Sequence, residues 1–533
     1  MRGKKLPFGI PGTAWSVYNF ILPEGSMRWN DTDLAQLKAR HISPEEIERQ
    51  LEFFKAPPSP PEVVAPCTVA NGIVPIQELD RDHLHALFQR EAAKGRFARF
   101  VPASGAATRM FKDLFDTQKS LEEWQRQGTC SNPFHLTFFR NIRSFPFYPA
   151  LARRIAQQGH DPEDLLQQRK LQPFIDTLLS SLGLDYAKTP KGLIPFHHYG
   201  EEIRTPIEEH LWETAMLLGP FCSSGKVHFT VSPDWVDRFR DVAAVATRNI
   251  ADHHAFHLKV DFSCQDPSTD TIAATPDNEP FRDDKGNLVF RPAGHGALIG
   301  NLKNTNYDLV LIKNIDNVVP ESRQEDVNNW WQITGGLLVE LEDQMRQLWQ
   351  AIHKEDTQAL EQAAAYLQKT FGYQPPSDKA GLERWTMERL KRPLRVCGMV
   401  RNLGEPGGGP FWVRTCDGVT RQIVELAQLN LANPDITQMV QKATHFNPVF
   451  MACALRDVEG KPLPLQDYID PNAIILTEKT IEGRPVRALE RPGLWNGAMA
   501  YWNTLFVEVP EEIFQPVKTV NDLLRPAHQT RQV

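Results

Sequence analysis

The sequence predicts an α/β protein organised around a mostly parallel sheet with helices on both faces. Three observations carry that reading. Short apolar or alternating strand-like segments recur at 97–101, 227–232 (VHFTVS), 256–265 (FHLKVDFSCQ) and 309–312, rich in β-branched or aromatic residues. Segments of helical period stand between them, such as DWVDRFRDVAAVATRNI at 234–250. Small-residue loops follow the runs, as in VPASGAATRM at 101–110 and RPAGHGA at 291–297. In sheets of this kind ligands gather at the carboxyl ends of the strands.

Size and composition narrow the function classes. The chain has 533 residues, enough for roughly three to four domain equivalents. With 41% hydrophobic and 23% charged residues it has the composition of an ordinary globular protein. A formal charge of -7 gives no general attraction to nucleic acid, but leaves room for a local basic pocket. The 7 cysteines are scattered and contain no CxxC pair, so neither a disulfide framework nor a zinc knuckle is expected, and a reducing cytoplasm fits best. No apolar run is long enough to span a membrane.

In chain order, residues 1–26 read as a loose extension and Met27 as an alternative start, because Pro, Gly and polar residues interrupt the apolar part of what begins like a signal peptide. Residues 27–93 read as helical. Asp31 or Thr32 caps DLAQLKAR, Ser43-Pro44 opens PEEIERQLEFF, and APPSPPEVVAP forces an extended linker. A helix from about 80 to 93 then leads into the α/β core, 94–320.

The core opens on RFARFVPASGAATRMFKDLF. A buried strand ends near Val101, a small-residue loop covers 102–106, and 107–114 read as the first turns of a helix. Small side chains let backbone N–H groups approach an anion, and Arg109 can clamp a phosphate with two parallel hydrogen bonds. An ordinary strand-to-helix turn with a surface arginine explains the same residues. Residues 117–188 read as a helical insertion.

KTPKGLIPFHHYGEEIRTPIEEHLWETAMLL follows, with Lys188 and Lys191 in its loop and a helix opened by Thr205-Pro206. Farther on, 284–287 make a tight turn, 288–290 a strand, and RPAGHGA a glycine-bracketed loop. The strand at 309–312 puts Asp316 and Asn317 just past its carboxyl end. A carboxylate there can hold a hard divalent cation against phosphates; a turn or helix cap is the plain alternative.

Residues 321–390 read as a second helical insertion, with Trp330-Trp331 as core packing. The C-terminal part, 391–533, is mixed, with strands at LRVCGMVRN, PFWVRT, ALRDVE and TLFVEV and a glycine-rich GEPGGGP between the first two. ADHHAFH spaces His253 and His257 four apart, but the alternation of Phe256, Leu258, Val260 and Phe262 argues for plain structure rather than a metal pair.

With these residues in view the chain resembles the UDP-sugar pyrophosphorylases, nucleotidyltransferases of the GT-A fold. VPASGAATRM is similar to their LxxGxGTRM nucleotide loop, with Gly105 and Arg109 in register and Ala106-Ala107 in place of the second glycine. TPKGLIPF resembles their proline-lysine-glycine segment through Lys191, although a long helical block separates the two motifs here. RPAGHGALIGNL is similar to PxGHGxxYxxL, aligning Gly294, His295 and Gly296. DLVLIKNIDNVVP resembles their strand ending in Asp-Asn, and FQPVKTVNDLL their FxPVKxTxDLL segment, which aligns Lys518. WNT at 502–504 is a looser echo of NTNNLW.

The resemblance implies a reaction joining a sugar 1-phosphate to a nucleoside triphosphate with Mg²⁺ as cofactor, and it implies roles. Arg109, Lys191 and Lys518 are catalytic phosphate contacts. Ala103, Ser104, Gly105, Ala106, Gln265, Gly294, His295 and Gly296 bind nucleotide. Asp316 and Asn503 hold the metal. Asn317, Glu490 and Asn496 face the sugar, with 391–533 completing the sugar-binding part. No nucleic acid or membrane partner is implied. A glycosyltransferase of the same fold, using a nucleotide sugar as donor, and a non-catalytic nucleotide-binding protein stay open.

Overall fold

The computed structural model describes residues 29–354, 358–402, 404 and 407–530. Within them eight strands form the path of the main sheet: β1 (Ile73–Val74), β2 (Phe97–Pro102), β3 (Ser224–Thr230), β4 (His257–Ser263), β5 (Leu309–Lys313), β6 (Leu394–Arg401), β7 (Phe450–Ala454) and β8 (Asn503–Glu508). Their spatial order is β1-β8-β6-β7-β5-β2-β3-β4, and His445–Phe446 pairs with β6 off this path. Every pairing along it is parallel except those of β7, which runs antiparallel to both β6 and β5.

Alternation along the strands explains two cores. On β2, Phe97 and Val101 face one side while Ala98 and Phe100 face the other; on β5, Leu309 and Leu311 are opposed to Val310 and Ile312 in the same way. The first face is covered by α1 (Arg81–Ala92), α2 (Pro206–Leu218), α3 (Val236–His254) and α5 (Gln324–His353). The second face is covered by α4 (Leu298–Asn304) and by short turns around Leu465 and Met499. Because central strands are buried on both sides, β5 reads as a continuous apolar run. Its exception, Lys313, is nonetheless fully buried.

Five α-helices occupy 118–179, and their apolar faces share one core with Met110, Phe111, Val517, Val520 and Leu523. This block joins the stretch after β2 to the C-terminal segment, across the carboxyl edge of the sheet.

Several local expectations are corrected. Residues 107–114 are not the start of an α-helix but two single 3₁₀ turns, and the next α-helix begins at Gln118. The backbone there is spent on a loop-to-loop bridge, with the Ala107 N–H donating to the Thr189 carbonyl at 3.2 Å. The expected linker is partly a strand, Glu62–Pro66, paired with Gly408–Thr415. ALRDVE lies mostly beyond β7, in a turn closed by Asp457. The short strand after the 284–287 turn is Phe290–Arg291 rather than 288–290. His253 lies in the last turn of α3 while His257 opens β4, so the two share no helix face. Residues 1–26 and Met27 lie outside the described residues, as do Glu405 and Pro406 of GEPGGGP; its Gly408 and Gly409 belong to a paired strand.

Candidate functional site

The carboxyl ends of β2, β3, β4 and β5 converge on one region. After β2, Ala103 donates its N–H to the Thr230 carbonyl, and the Ser104 carbonyl accepts from Ser232 Oγ at 3.1 Å. The next residue is open: a Cβ added at Gly105 would meet nothing within 4 Å. Ala106 has φ -65 and ψ 148, an extended conformation that any L-residue adopts, so the local backbone does not require a glycine there. Arg109 is exposed and makes no ion pair among the described residues.

Lys191 is brought to this loop by backbone pairing. Its N–H donates to the Gly105 carbonyl at 3.2 Å, and Ala106 pairs with Pro190. The turn that follows packs closely: a Cβ on Gly192 would lie 2.9 Å from Phe239 and 3.1 Å from Ile315. The Lys191 Nζ then donates to Asp316 Oδ2 at 2.7 Å and to the Val517 carbonyl at 2.8 Å. Three stretches far apart in sequence therefore meet at one ammonium group, and the Gly105 loop joins them through the Lys191 backbone.

The C-terminal segment is held on the same side. Val517 donates its N–H to the Asp316 carbonyl, and Gln515 donates to Asn317 Oδ1 at 2.8 Å. Lys518, one residue on, is exposed, with its Nζ 5.9 Å from the centre of the Phe514 ring. Asn317 is 1% exposed and works as an anchor for the C-terminal segment, so the sugar contact expected of it is corrected to a structural one.

A second group adjoins the first through Gln265, whose Nε2 donates to the Gly294 carbonyl at 2.9 Å and lies 3.4 Å from Ser104 Oγ. His295 is half-buried against Trp495, ring centres 4.9 Å apart, and burial holds its pKa below the usual histidine range. The contact demands a glycine opposite, because a Cβ on Gly493 would lie 2.1 Å from His295 Cε1. A Cβ on Gly296 would lie 2.6 Å from Arg491 Cβ. Asn496, on the same turn, donates Nδ2 to Gln428 at 3.2 Å, and Glu490 ends the neighbouring strand Arg484–Glu490.

Asn503 is elsewhere. It begins β8 in the row of Leu394, Ala454 and Leu309, whereas Asp316 lies beyond the other end of β5. At about 3.3 Å per residue the two are separated by more than about 13 Å of strand. Its amide is also consumed, accepting from the Tyr373 hydroxyl at 2.9 Å and donating to the Arg389 carbonyl at 2.8 Å. Asn503 is therefore not a metal partner of Asp316.

Of the two residues expected to hold a metal, Asp316 alone lies at this edge, paired with Lys191, and no group of three or more His, Cys, Asp or Glu side chains among the described residues is arranged for a metal. A single half-buried carboxylate fits Mg²⁺ better than a transition metal, since Mg²⁺ keeps several waters and takes substrate phosphates as ligands. Elsewhere a charged cavity of about 560 Å³ opens at the amino edge of the sheet, lined by Arg90, Arg96, Asp308 and Glu342 among others. No helix among the described residues is long and apolar enough to cross a membrane.

Comparison with known proteins supplies a family and a likeness. The chain belongs to the family described as "Domain of unknown function (DUF4301)", whose model matches residues 30–529. No curated protein matches it. Among solved structures it is similar to a uridine diphosphate N-acetylglucosamine pyrophosphorylase from Trypanosoma brucei, at 12% identity and TM-score 0.47, covering 93% of this chain and 79% of that one. It is also similar to the UDP-glucose pyrophosphorylase from Leishmania major, at 14% identity and TM-score 0.44, covering 94% and 78%.

Proposed function

We propose that this DUF4301 chain is a nucleotidyltransferase that joins a sugar 1-phosphate to a nucleoside triphosphate and releases pyrophosphate. The observation that carries the proposal is the junction at Lys191, where the open Gly105 loop, the Asp316 carboxylate and the segment bearing Lys518 meet. Two exposed cations without ion pairs among the described residues, Arg109 and Lys518, flank it.

In the reaction, an oxygen of the sugar phosphate bonds to the α-phosphorus while the bond from that phosphorus to the pyrophosphate oxygen breaks. The leaving group carries its charge away as pyrophosphate. No covalent enzyme intermediate is needed, so the side chains have to orient two polyanions and offset their charge. Backbone N–H groups around 104–106 and Arg109 take the triphosphate. Lys191 moves from Asp316 to a phosphate oxygen, and Lys518 takes the sugar phosphate. Asp316 is the residue that would hold Mg²⁺, which when bound supplies charge neutralisation between phosphates. Gln265, Gly294, His295 and Gly296 form the wall for base and ribose, with Glu490 and Asn496 adjoining it on the sugar side. The scattered cysteines agree with a cytoplasmic location.

The test is pyrophosphate release by the purified protein with Mg²⁺, across four nucleoside triphosphates and the common sugar 1-phosphates. Release should require both substrates, and Asp316→Ala should lower it by at least about a thousandfold, roughly 4 kcal/mol. Normal turnover by Asp316→Ala would remove that carboxylate from the mechanism. Glycoside formation from a nucleotide sugar, without pyrophosphate, would identify a glycosyltransferase, and nucleotide binding without turnover a non-catalytic binder.

A further inference from the structure

We propose that Glu213 is a positioning residue for this site, a single buried carboxylate that fixes the elements presenting the Gly105 loop, Lys191 and Asp316 relative to one another. The proposal rests on the nucleotidyltransferase reading. Glu213 is 1% exposed and belongs to α2, the helix that follows the Lys191 loop and its short hairpin. From this helix it accepts hydrogen bonds from three other elements. Arg99 on β2 donates at 2.6 Å, Lys313 on β5 at 3.0 and 3.3 Å, and the Trp331 indole on α5 at 2.8 Å.

The donors occupy telling positions. Arg99 lies three residues before the end of β2, from which the Gly105 loop leaves, and Lys313 lies three residues before Asp316. One turn earlier on α2, His210 Nε2 is 3.3 Å from the Ile315 carbonyl. The helix thus grips β5 on both sides of the point where the strand gives way to Asp316.

Stability alone does not call for this arrangement. Two cations and a carboxylate lose their hydration when buried, and apolar side chains of similar volume often serve a core as well or better. Ionic hydrogen bonds add direction: they set the lateral position of two strands and a helix, where apolar contacts tolerate small slips. Burial pushes the Glu213 pKa up, but Arg99 and Lys313 outweigh it and keep the carboxyl ionised. A shift of about 1 Å among phosphate-binding groups costs on the order of a hundredfold in rate.

The experiment uses the full chain and three variants, Glu213→Gln, Lys313→Met and Leu338→Ala. The last truncates a buried side chain of α5 outside the cluster and serves as a control for lost stability. Each is characterised by its melting curve, by calorimetric affinity for magnesium tripolyphosphate, and by kcat on whichever substrate pair releases pyrophosphate. With the proteins folded at the assay temperature, Glu213→Gln and Lys313→Met should each lose at least about tenfold in kcat and in tripolyphosphate affinity. Leu338→Ala should stay within about twofold in both despite a comparable fall in melting temperature. Lys313→Met keeps the Arg99–Glu213 pair, so it covers the case in which Glu213→Gln does not fold. Wild-type kcat and affinity in Lys313→Met, or equal losses in Leu338→Ala, overturn the proposal. A wild-type protein that binds tripolyphosphate but releases no pyrophosphate loses the reaction, while the affinities still decide the positioning role. Absence of tripolyphosphate binding by the wild type overturns both.

Discussion

The two edges of the main sheet carry similar side chains and use them in opposite ways. At the amino edge, Arg96 donates to Asp308, Glu342 and Glu91 at 2.6 to 3.1 Å, and Arg90 and Lys94 also bind Glu91. Burial raises the Glu91 pKa, yet Lys94, Arg96 and Arg90 together bring it down to about 2. Charge there is matched inside the protein. At the carboxyl edge, Arg109 and Lys518 face solvent without a carboxylate partner among the described residues, and the backbone in front of Gly105 is open. A paired edge holds a fold together; an edge with unspent cations and free backbone suits a polyanion. That contrast, rather than cavity volume, locates the candidate site, since the charged cavity lies at the paired edge.

The contrast can be broken by mutation. Arg96→Ala should destabilise the protein by about 3 kcal/mol, because it leaves partly buried carboxylates facing one another, and should leave KM unchanged. A lowered melting temperature with a raised KM would show that the amino edge also serves substrate. Acid should act on the buried clasp of the C-terminal segment. There His528 Nδ1 lies 3.1 Å from His197 Nε2, and burial, followed by His197 and Arg525, holds the His528 pKa down to about 3. The folded state then binds fewer protons than the unfolded one between the unfolded value near 6.5 and about 3, so stability is full above that window and lost as pH falls into it. From pH 6.5 to 5 the loss is about 2 kcal/mol, and His528→Phe should flatten the dependence of melting temperature on pH by that amount. Unchanged slopes would refute it.

Smaller effects sharpen the same comparison. Arg109→Ala and Lys518→Ala should each lower kcat/KM about tenfold, roughly 1.4 kcal/mol, without moving the melting temperature. An equal fall in stability would place them with the paired edge. Lys191→Met should tighten Mn²⁺ binding without nucleotide by severalfold, about 1 kcal/mol, because it frees the Asp316 carboxylate. Weaker Mn²⁺ binding by the variant would mean that the ion pair supports the cation site instead of competing with it.

Much of the site was legible because its pieces are local. Gly105, Lys191, Asp316 and Lys518 each belong to a short motif, and Gly105 and Asp316 follow neighbouring parallel strands that end at one edge. Asn503 misled because a tripeptide resemblance carries no strand direction, and the pairing of β8 with β6 puts it at the wrong end. The 3₁₀ turns at 107–114 misled because helical spacing is a local signal, whereas the Ala107 N–H is taken by Thr189 from across the insertion. Glu213 and His528 left no sequence mark; each lies in a segment whose pattern says only helix or tail. The one visible hint was Lys313 at the end of an otherwise apolar strand.

By itself the sequence determined the elements and their class. Alternation of short apolar runs with helical periods dictates a largely parallel sheet, because strand and helix periods depend on neighbours within a few residues. It also determined which side chains stand at strand ends. Only the tertiary structure decided which ends meet and which charges are spent. The Lys191–Asp316–Val517 junction, the Glu213 cluster and the burial of Asn317 all join residues a hundred or more positions apart. Such contacts are set by the order and direction of strands in the sheet, which no local pattern encodes.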